Sequence, residues 1–530
     1  MADTALVFLL DAHLPFIRHP DAPGCVEESR LFNAISYTYL PLLRACTSLE
    51  TEGVPFKLAM AFSPSLCEML ADPLLQTRYL ESLDRSIDFG LAELERHADD
   101  EAVRELIKVH LDHIQLNRRD FNDIYERNIL PKFDYFATRG HLEILATTAT
   151  SCYLPLFVDI PETINAQIET GLIIYRKYFT SVPTGFWLPA MAWCPGLDEI
   201  IKSYGFQYTF VEAHGFLFAD PPPPAGVFAP STCGNGLVVF ARDRLATTEL
   251  TSPQTGCAFK PEYLDMDRDV GFELDEGMLA PLYDVRLGRR VTGFRYHARG
   301  TGGAPCEETY GIARAHQAVA EDASAFIERR VENLSRASAL LEGAPVTTVC
   351  AFPAEFFGQT WYEGISWLET VFRSIAQRSD ISFALPSARA PTAPEGGVVN
   401  PFCSSWFDNG YADDVLNSSN DWMYPYIRMA TMRMIDLAER FPDDTGLKER
   451  ALDMAARELL LGQTMDWFLM MNETDQGEYA RRRFEESVRA FTVVYESLGS
   501  NFISTEWLTK TEKIDNLFPE INYRMFSRKK

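Results

Sequence analysis

The sequence predicts an α/β fold, built on parallel strands, that carries a helical insertion and ends in a bundle of helices. Three observations indicate this. Short apolar segments alternate with helical patterns, one long stretch between two strands keeps helical spacing, and amphipathic helical patterns dominate from about Asp421 onward. Alternating strands and helices build a parallel sheet or barrel. A chain of 530 residues is long enough for one large barrel with insertions, or for more than one domain.

Short apolar segments mark the predicted strands, which lie at residues 4–10, 54–62, 142–146, 185–188, 208–211 and 346–351. After the second strand, apolar side chains recur at helical spacing, at Leu66, Met69, Leu70, Leu74, Tyr79 and Leu83. This spacing predicts a helical insertion over about residues 65–130. In β/α barrels the chemistry lies at the carboxyl ends of the strands, so residues that directly follow these segments are candidates for a site.

A change of composition places a domain boundary near residue 390. Residues 384–401 are rich in Pro, Ala and Gly and have no periodicity, which is typical of a long loop. Amphipathic patterns at 429–437, 455–471 and 478–498 then predict a helical bundle. We therefore expect a barrel with its insertion over residues 1–390 and a helical domain over residues 391–530.

The charge of the chain limits the partners it can have. It carries 49 basic and 75 acidic residues, a formal net charge of −26. This charge disfavours nucleic acid and anionic membranes as partners but does not oppose a neutral polysaccharide. The apolar run near the start is short and follows no basic segment, so it is interpreted as a first strand and not as a signal peptide. No apolar stretch is long enough to span a bilayer.

The cysteine pattern indicates a reducing compartment. Ten cysteines are scattered through the chain without a Cys-x-x-Cys pair or an adjacent histidine cluster. We expect a cytoplasmic protein with buried thiols and no metal site. The alternatives are a disulfide framework or a zinc site, which this spacing disfavours.

Residues 185–196 carry the most informative motif, Gly-Phe-Trp-Leu-Pro-Ala-Met-Ala-Trp-Cys-Pro-Gly. It resembles the nucleophile motif of glycoside hydrolase family 57, which usually reads Trp-Leu-Pro-Glu, a small residue, Ala, an aromatic residue, one variable residue and Pro-Gly. Ala190 stands where that family places its catalytic glutamate. A methyl group cannot attack an anomeric carbon.

Residues 351–364 carry a second motif, which resembles the acid/base motif of the same family, typically Asp-x-Glu-Leu-Phe-Gly-His-Trp-Trp. Pro353 occupies the aspartate position. Retaining glycosidases need one carboxylate to form a covalent glycosyl intermediate and a second to protonate the leaving oxygen. The resemblance therefore implies that no catalytic side chain stands at either position, Ala190 or Pro353.

Further motifs extend the resemblance over nearly the whole chain and bring it nearest to the 1,4-α-glucan branching enzymes of the family. They lie at residues 13–20, 140–156, 212–215, 240–243, 292–296, 404–406 and 457–467. The resemblance implies a seven-stranded parallel β/α barrel with a C-terminal helical domain packed over the cleft. It also implies that the chemistry needs no metal or organic cofactor, and that the binding partner is an α-glucan.

The departures from the family pattern concentrate at its active-site positions. Asp11 and Ser151 replace histidines, and Gln359 and Thr360 replace the histidine and tryptophan of the second motif. Prolines and glycines that shape the turns are retained at Pro15, Pro155, Pro189, Pro195, Gly196 and Gly358. Losses in the site within an intact frame favour a pseudoenzyme.

The motifs nominate nine residues for substrate contact: His13, Trp187, Glu212, His214, Arg242, Glu355, Trp406, Asp466 and Trp467. The tryptophans can stack on glucose rings or belong to the core. The histidines can bond sugar hydroxyls or be structural. A carboxylate pair about 5 to 5.5 Å apart can support retaining hydrolysis, but a supporting hydrogen-bond role is favoured for Glu355 and Asp466. Arg242 is expected to pair with Asp243 and order a loop.

Three functions follow from these patterns. The favoured one is a catalytically inactive or strongly impaired homologue of the branching enzymes that binds glycogen-like chains or regulates an active protein partner. The second is an active α-glucan branching enzyme or amylase that uses substitute carboxylates. The third is a scaffold protein without sugar affinity.

Overall fold

The computed structural model of the protein describes residues 3–22, 24–500 and 502–528. Its strands are β1 (Thr4–Ala12), β2 (Leu58–Phe62), β3 (Leu142–Leu145), β4 (Gly185–Phe186), β5 (Tyr208–Val211), β6 (Ser231–Thr232), β7 (Val238–Ala241), β8 (Val346–Pro353) and β9 (Ser382–Phe383). All six predicted strands are present within one to four residues of their expected bounds. The sequence analysis missed β6, β7 and β9, which have only two to four residues each.

The helices of the first half are α1 (Ser29–Ala34), α2 (Leu40–Thr51), α3 (Pro64–Ala71), α4 (Pro73–Arg96), α5 (Glu101–Arg119), α6 (Leu130–Thr138), α7 (Pro161–Tyr178), α8 (Leu197–Ser203), α9 (Ala213–Leu217) and α10 (Arg244–Thr251). Those of the second half are α11 (Val270–Glu273), α12 (Glu276–Leu279), α13 (Ile312–Leu340), α14 (Gly364–Ala376), α15 (Pro386–Arg389), α16 (Met423–Arg440), α17 (Leu447–Gln463), α18 (Met465–Met470), α19 (Gly477–Ser500) and α20 (Thr505–Ile514).

Parallel strands pair in two sheets. In the first the order is β3-β2-β1-β8, and β9 also pairs with β1; in the second the order is β4-β5-β7-β6, where only β6 runs antiparallel to its neighbour. Single parallel bridges connect the two sheets, from Ala146 to Phe186 and from Arg242 to Val349. The strand pairing is thus interrupted at these two places, where the expected barrel has a continuous ring.

Alternate residues of the strands face two different cores, as the period of two in a strand requires. Val7, Leu9, Ala61, Phe210 and Phe240 belong to one buried cluster formed almost entirely by strand residues. Their neighbours along β1, such as Leu6, Phe8 and Leu10, belong to the larger core that includes the helices. Both faces of β1 are therefore buried, which explains its uninterrupted apolar sequence.

The predicted helical insertion corresponds to α3, α4 and α5, and α6 leads from it to β3. Ser63, Asp72 and Asp100 cap the starts of α3, α4 and α5 by accepting backbone N–H groups.

Residues 384–401, expected as a loop, contain α15 and a 3₁₀ turn over 390–396. Pro386 and Pro391 are the first and second residues of these two helical turns, where a missing N–H costs nothing.

The C-terminal region is helical as predicted, and it reaches the ends of the strands through one short connection. Thr464 lies between α17 and α18 and forms an antiparallel bridge with Cys152. The N–H of Met465 donates to the Ser151 carbonyl at 2.6 Å. These contacts hold Asp466, at the start of α18, against the segment that follows β3.

Within the described ranges, no helix is long and apolar enough to cross a membrane. All ten cysteines lie in those ranges and are free thiols, six of them buried.

Candidate functional site

A left-handed turn follows β4 at the first motif. Ala190 has φ 54° and ψ 19°, and Met191 has φ 49°; both residues are fully buried. This conformation costs an L-residue with a side chain roughly 1–2 kcal/mol, so the surrounding contacts must hold it in place. One of these contacts is the Trp406 N–H, which donates to the Ala190 carbonyl at 2.9 Å. The methyl group of Ala190 therefore lies on a strained backbone turn that neighbouring contacts hold in place.

The second motif begins at the exposed end of β8. Pro353 is the last residue of β8 and pairs in register with Asp11 of β1. The next residue, Ala354, donates its N–H to the Asp11 carbonyl at 2.8 Å. Since the strands are parallel, Pro353 and the turn at Ala190 follow strand ends on the same side of the sheets.

Three carboxylates and one imidazole meet beside Pro353. We call Asp11, His13, Glu355 and Asp466 the mouth cluster. The ring of His13 bonds Asp466 through Nε2 (2.8 Å to Oδ1) and Ser63 through Nδ1 (2.9 Å to Oγ). Asp11, His13 and Glu355 are each partly exposed, while Asp466 is buried.

Hydrogen bonds from outside the cluster orient two of its carboxylates. The Thr464 hydroxyl donates to Asp466 Oδ2 at 2.6 Å, and the Tyr39 hydroxyl donates to Glu355 Oε1. The indole N–H of Trp187 lies near Asp11 but completes no hydrogen bond of standard geometry within the described residues. Asp11 is therefore the least tethered carboxylate of the cluster.

Burial raises the pKa values of two carboxyl groups of the cluster toward neutrality. It raises the pKa of Asp11 to about 6, against the opposing effects of His13 and Trp187. It raises the pKa of Glu355 to about 7, although the Tyr39 hydrogen bond lowers it. Burial lowers the pKa of His13, but the nearby carboxylates outweigh this and the net direction is upward. Near pH 6–7 the cluster can therefore both donate and accept protons.

A buried ion pair lies behind the first motif. Arg242 follows β7, and its Nε stands 2.9 Å from Glu212 Oε2. The guanidinium also lies 5.7 Å from the centre of the Trp406 ring, which packs edge-to-face on Trp187 at 5.6 Å. Burial lowers the pKa of Arg242, and the charge of Glu212 opposes that shift.

The expected pairing of Arg242 with Asp243 is wrong. Asp243 caps the start of α10, where its Oδ1 accepts the N–H of Ala246 at 3.0 Å. Its other oxygen accepts the hydroxyl of Thr348 at 3.1 Å. Arg330 Nε stands 3.6 Å from that second oxygen, so Asp243 faces another guanidinium and Arg242 pairs with Glu212.

An aromatic loop, residues 402–411, covers His214. The ring of His214 approaches the Gly410 carbonyl at 2.9 Å through Nε2 and packs edge-to-face on Tyr411 at 5.4 Å. Tyr411 is 43% exposed, and Trp406 and Phe407 are half-buried. The sequence analysis selected Trp406 and missed Tyr411. The close spacing of four aromatic residues in this loop was the available signal.

Two of the predicted contact residues offer no ring face to a ligand in this structure. Trp187 and Trp467 are each 1% exposed. Trp467 donates its indole N–H to the Leu461 carbonyl at 2.8 Å and packs on Tyr479, inside the helical region. Of the nine predicted residues, the structure groups His13, Glu355 and Asp466 in the mouth cluster, and Trp187, Glu212, Arg242 and Trp406 around the ion pair.

Among the described residues, one group of three side chains has the chemistry to hold a metal ion, and it lies outside the mouth cluster. It consists of His19, Cys25 and Glu27. The Cys25 thiol donates to Glu27 Oε2 at 2.6 Å, which is closer than two ligands of one tetrahedral ion stand. Burial and the charge of Arg483 lower the pKa of His19 to about 4. The positive charge of Arg483 also disfavours binding of a metal cation beside His19, so we assign no metal to this group.

Comparisons with known proteins agree with this architecture. Residues 7–273 match the family model "Glycosyl hydrolase family 57", and residues 426–526 match "1,4-alpha-glucan branching enzyme, C-terminal". The 1,4-alpha-glucan branching enzyme TK1436 of Thermococcus kodakarensis is 26% identical, over 97% of this chain and 77% of that protein.

Two solved structures are similar along the full chain. The alpha-amylase AmyC from Thermotoga maritima has 32% identity and a TM-score of 0.92, with 100% of both chains covered. The GH57-type branching enzyme from Pyrococcus horikoshii has 28% identity and a TM-score of 0.87, covering 100% of this chain and 97% of that one. Together with the match of residues 7–273, these similarities mean that the chain belongs to glycosyl hydrolase family 57.

Proposed function

We propose that this protein binds α-glucan and has lost most or all of the glycosyl-transfer activity of its family. The observation that carries the proposal is Ala190, a buried methyl group in the strained turn at the family's nucleophile position. Pro353 at the acid/base position supports it, because proline has no group that can transfer a proton. Loss of either group typically costs several orders of magnitude in rate.

We propose that the frame is nevertheless that of the family, one seven-stranded barrel over residues 1–390 with a helical domain over 391–530. The two bridges support this, since they join β3 to β4 and β7 to β8 and so connect the ends of the two sheets. The contact of Met465 with Ser151 supports a helical domain that docks on the barrel mouth.

The glucan surface that we propose combines the aromatic loop with the mouth cluster. Tyr411 and Trp406 offer ring faces of the kind that stack on glucose. Asp11 and Glu355 are partly exposed and offer carboxyl oxygens to sugar hydroxyls, while His13, whose ring nitrogens bond Ser63 and Asp466, holds the cluster in place. A neutral glucan meets no electrostatic penalty at a chain with a net charge of −26.

The test measures binding and turnover on the same purified protein. Native gel electrophoresis with and without glycogen reports binding as retarded migration, and iodine staining with reducing-end release reports branching and hydrolysis on amylose. We expect retardation without turnover between pH 5 and 8. If glycogen does not change the migration of the protein, the sugar-binding proposal is contradicted. The scaffold function is then the remaining alternative.

The mouth cluster favours one alternative, an active enzyme with a rebuilt carboxylate pair. Asp11 and Glu355 lie near enough that the charge of Asp11 raises the pKa of Glu355. Burial raises the pKa of both groups, to about 6 and about 7, so the pair can share one proton near neutrality. That is the state a retaining pair needs. Turnover with an optimum near neutrality, lost in Glu355→Gln, would establish this alternative and exclude the inactive one.

A further inference from the structure

A cavity of about 290 Å³ lies next to the second motif and contains no residue of the mouth cluster. Four segments line it: the end of α1 with the helical turn that follows it, the loop between α10 and α11, residues 291–299, and the turn after β8. The last segment contributes Gln359 and Thr360. In the family motif these positions carry histidine and tryptophan, so smaller side chains leave space at this point of the wall.

Arg295 is the most buried charged group in the lining. It is 3% exposed, and its Nη1 completes no hydrogen bond among the described residues. Its Nε donates to the Met266 carbonyl at 3.2 Å, and its Nη2 stands 3.4 Å from Asp269 Oδ2. The guanidinium also lies 5.6 Å from the centre of the Tyr37 ring, and it approaches the Tyr37 hydroxyl without completing a hydrogen bond of standard geometry.

Asp269 cannot compensate Arg295 further, because other donors already occupy its oxygens. Its Oδ1 accepts the N–H of Gly271 and both the N–H and the hydroxyl of Thr292, at 2.7–2.9 Å. Its Oδ2 accepts the N–H of Gly293 at 2.9 Å. A buried donor without a partner is costly and calls for an explanation, such as a ligand atom in the cavity.

Arg299 supplies a second guanidinium to the same cavity. Its Nε is buried and also completes no hydrogen bond with described residues. Its Nη2 donates to the Thr360 carbonyl at 3.4 Å, and the group lies 4.8 Å from the centre of the Phe259 ring. The acidic residue of the lining, Asp267, is exposed. Two arginines therefore face one small cavity in a strongly acidic protein.

We propose that this cavity binds a hexose-sized ligand that carries a phosphate or carboxylate group. The anion bonds the free N–H groups of Arg295 and Arg299, since guanidinium donors match both anions in geometry and charge. The sugar hydroxyls bond Asn33, Asp267 and Gln359, which also line the cavity. The volume suits one monosaccharide.

Calorimetric titration of the full chain tests the ligand class with four probes: glucose 1-phosphate, glucuronate, glucose and inorganic phosphate. We expect at least one of the two anionic sugars to bind at least about tenfold more tightly than glucose, because only an anionic sugar forms charge-assisted hydrogen bonds with the two guanidinium groups. Which of the two binds identifies the anion. Equal affinity for glucose 1-phosphate and inorganic phosphate contradicts a sugar site, and no binding by either anionic sugar overturns the proposal.

Variants locate the site. Arg299→Gln removes one guanidinium from a half-buried position. It should weaken the binding of the anionic sugar by about tenfold. Thr360→Trp, at an exposed position of the lining, should block the cavity. Arg286→Gln is the matched control, since Arg286 is exposed and pairs only with the nearby Asp284 among described residues. Unchanged affinity in both Arg299→Gln and Thr360→Trp excludes this cavity. Glycogen retardation should persist in every variant, so the result is separate from the proposed glucan binding.

Discussion

Asp11 and Pro353 stand side by side at the carboxyl ends of two adjacent parallel strands. Burial raises the pKa of the Asp11 carboxyl group to about 6. This group thus lies next to the proline at the family's acid/base position. The neighbouring Glu355, with a pKa of about 7, is the other carboxyl group of the mouth cluster that titrates near neutrality. The mouth of this protein therefore retains acidic groups although the two expected catalytic positions hold none.

Asp11→Asn should stabilise the protein at high pH and leave its stability unchanged at low pH. The pKa of Asp11 is about 6 in the folded protein and 3.8 ordinarily, so the folded state binds more protons between these values. The free energy of unfolding therefore falls as the pH rises through that window. We expect Asp11→Asn to gain about 1–3 kcal/mol at pH 8 and nothing at pH 3.5, measured by urea unfolding.

The control for this prediction is Asp159→Asn. A hydrogen bond from Arg428 lowers the pKa of Asp159, an exposed group, so its loss should destabilise the protein slightly above pH 4, the opposite sign. Equal effects of Asp11→Asn at both pH values would contradict the raised pKa.

Ala190→Gly should cost less stability than Ala192→Gly. Both alanines are buried, so both variants lose one methyl contact and gain freedom in the unfolded chain. Only Ala190 has a positive φ, of 54°, while φ of Ala192 is −73°. Glycine relieves the strain at Ala190 alone, so the two free energies of unfolding should differ by about 1–2 kcal/mol. Equal losses in chemical denaturation would show that the turn is unstrained.

Arg242→Met should destabilise the protein by about 3–5 kcal/mol, because Glu212 is left as an unpaired charge in the interior. The double variant with Glu212→Gln should recover part of that loss, since its amide oxygen can still accept the Ala213 N–H as Glu212 does at 3.0 Å. Thermal unfolding of the four proteins of this cycle gives the coupling. A double variant as unstable as the sum of the singles would mean that the pair does not interact.

Tyr411→Ala should weaken glycogen binding about tenfold by removing a stacking ring beside His214. Tyr426→Ala is the matched control, because Tyr426 is 51% exposed on α16 and lies outside the aromatic loop. Affinity electrophoresis over a range of glycogen concentrations measures both dissociation constants. An equal loss in the two variants would place the glucan surface elsewhere.

Ala190→Glu combined with Pro353→Asp should restore at most partial turnover on amylose, while each single variant should stay inactive. Both positions follow strand ends in a frame similar in full to solved α-glucan enzymes. Asp11, Gln359 and Thr360 still depart from the family pattern, and errors of position near 1 Å cost about a hundredfold in rate. If the double variant binds glycogen but gains no turnover, the site has changed at more positions than Ala190 and Pro353.

The sequence alone determined the order of the elements and the family. Apolar periodicity is local, so six strands were predictable within four residues of their bounds. The helical insertion and the helical C-terminal region were predictable in outline, but the pattern over 455–471 missed the start of α17 at Leu447 and its end before Thr464. The family motifs are also local, because each lies in one short segment after a strand. The strands β6, β7 and β9 were missed although β3, β4 and β5 are equally short, because segments of two to four residues carry too little periodicity to be assigned consistently.

Only the tertiary structure decided which side chains meet and how they titrate. His13 and Asp466 are 453 residues apart in sequence and 2.8 Å apart in space, because α18 docks on the strand ends. Arg242 pairs with Glu212 and not with its neighbour Asp243, because Asp243 caps α10 and faces Arg330, which is distant in sequence. The raised pKa values of Asp11 and Glu355 come from burial. Burial depends on every element packed around the mouth cluster, so no single segment of the sequence predicts it.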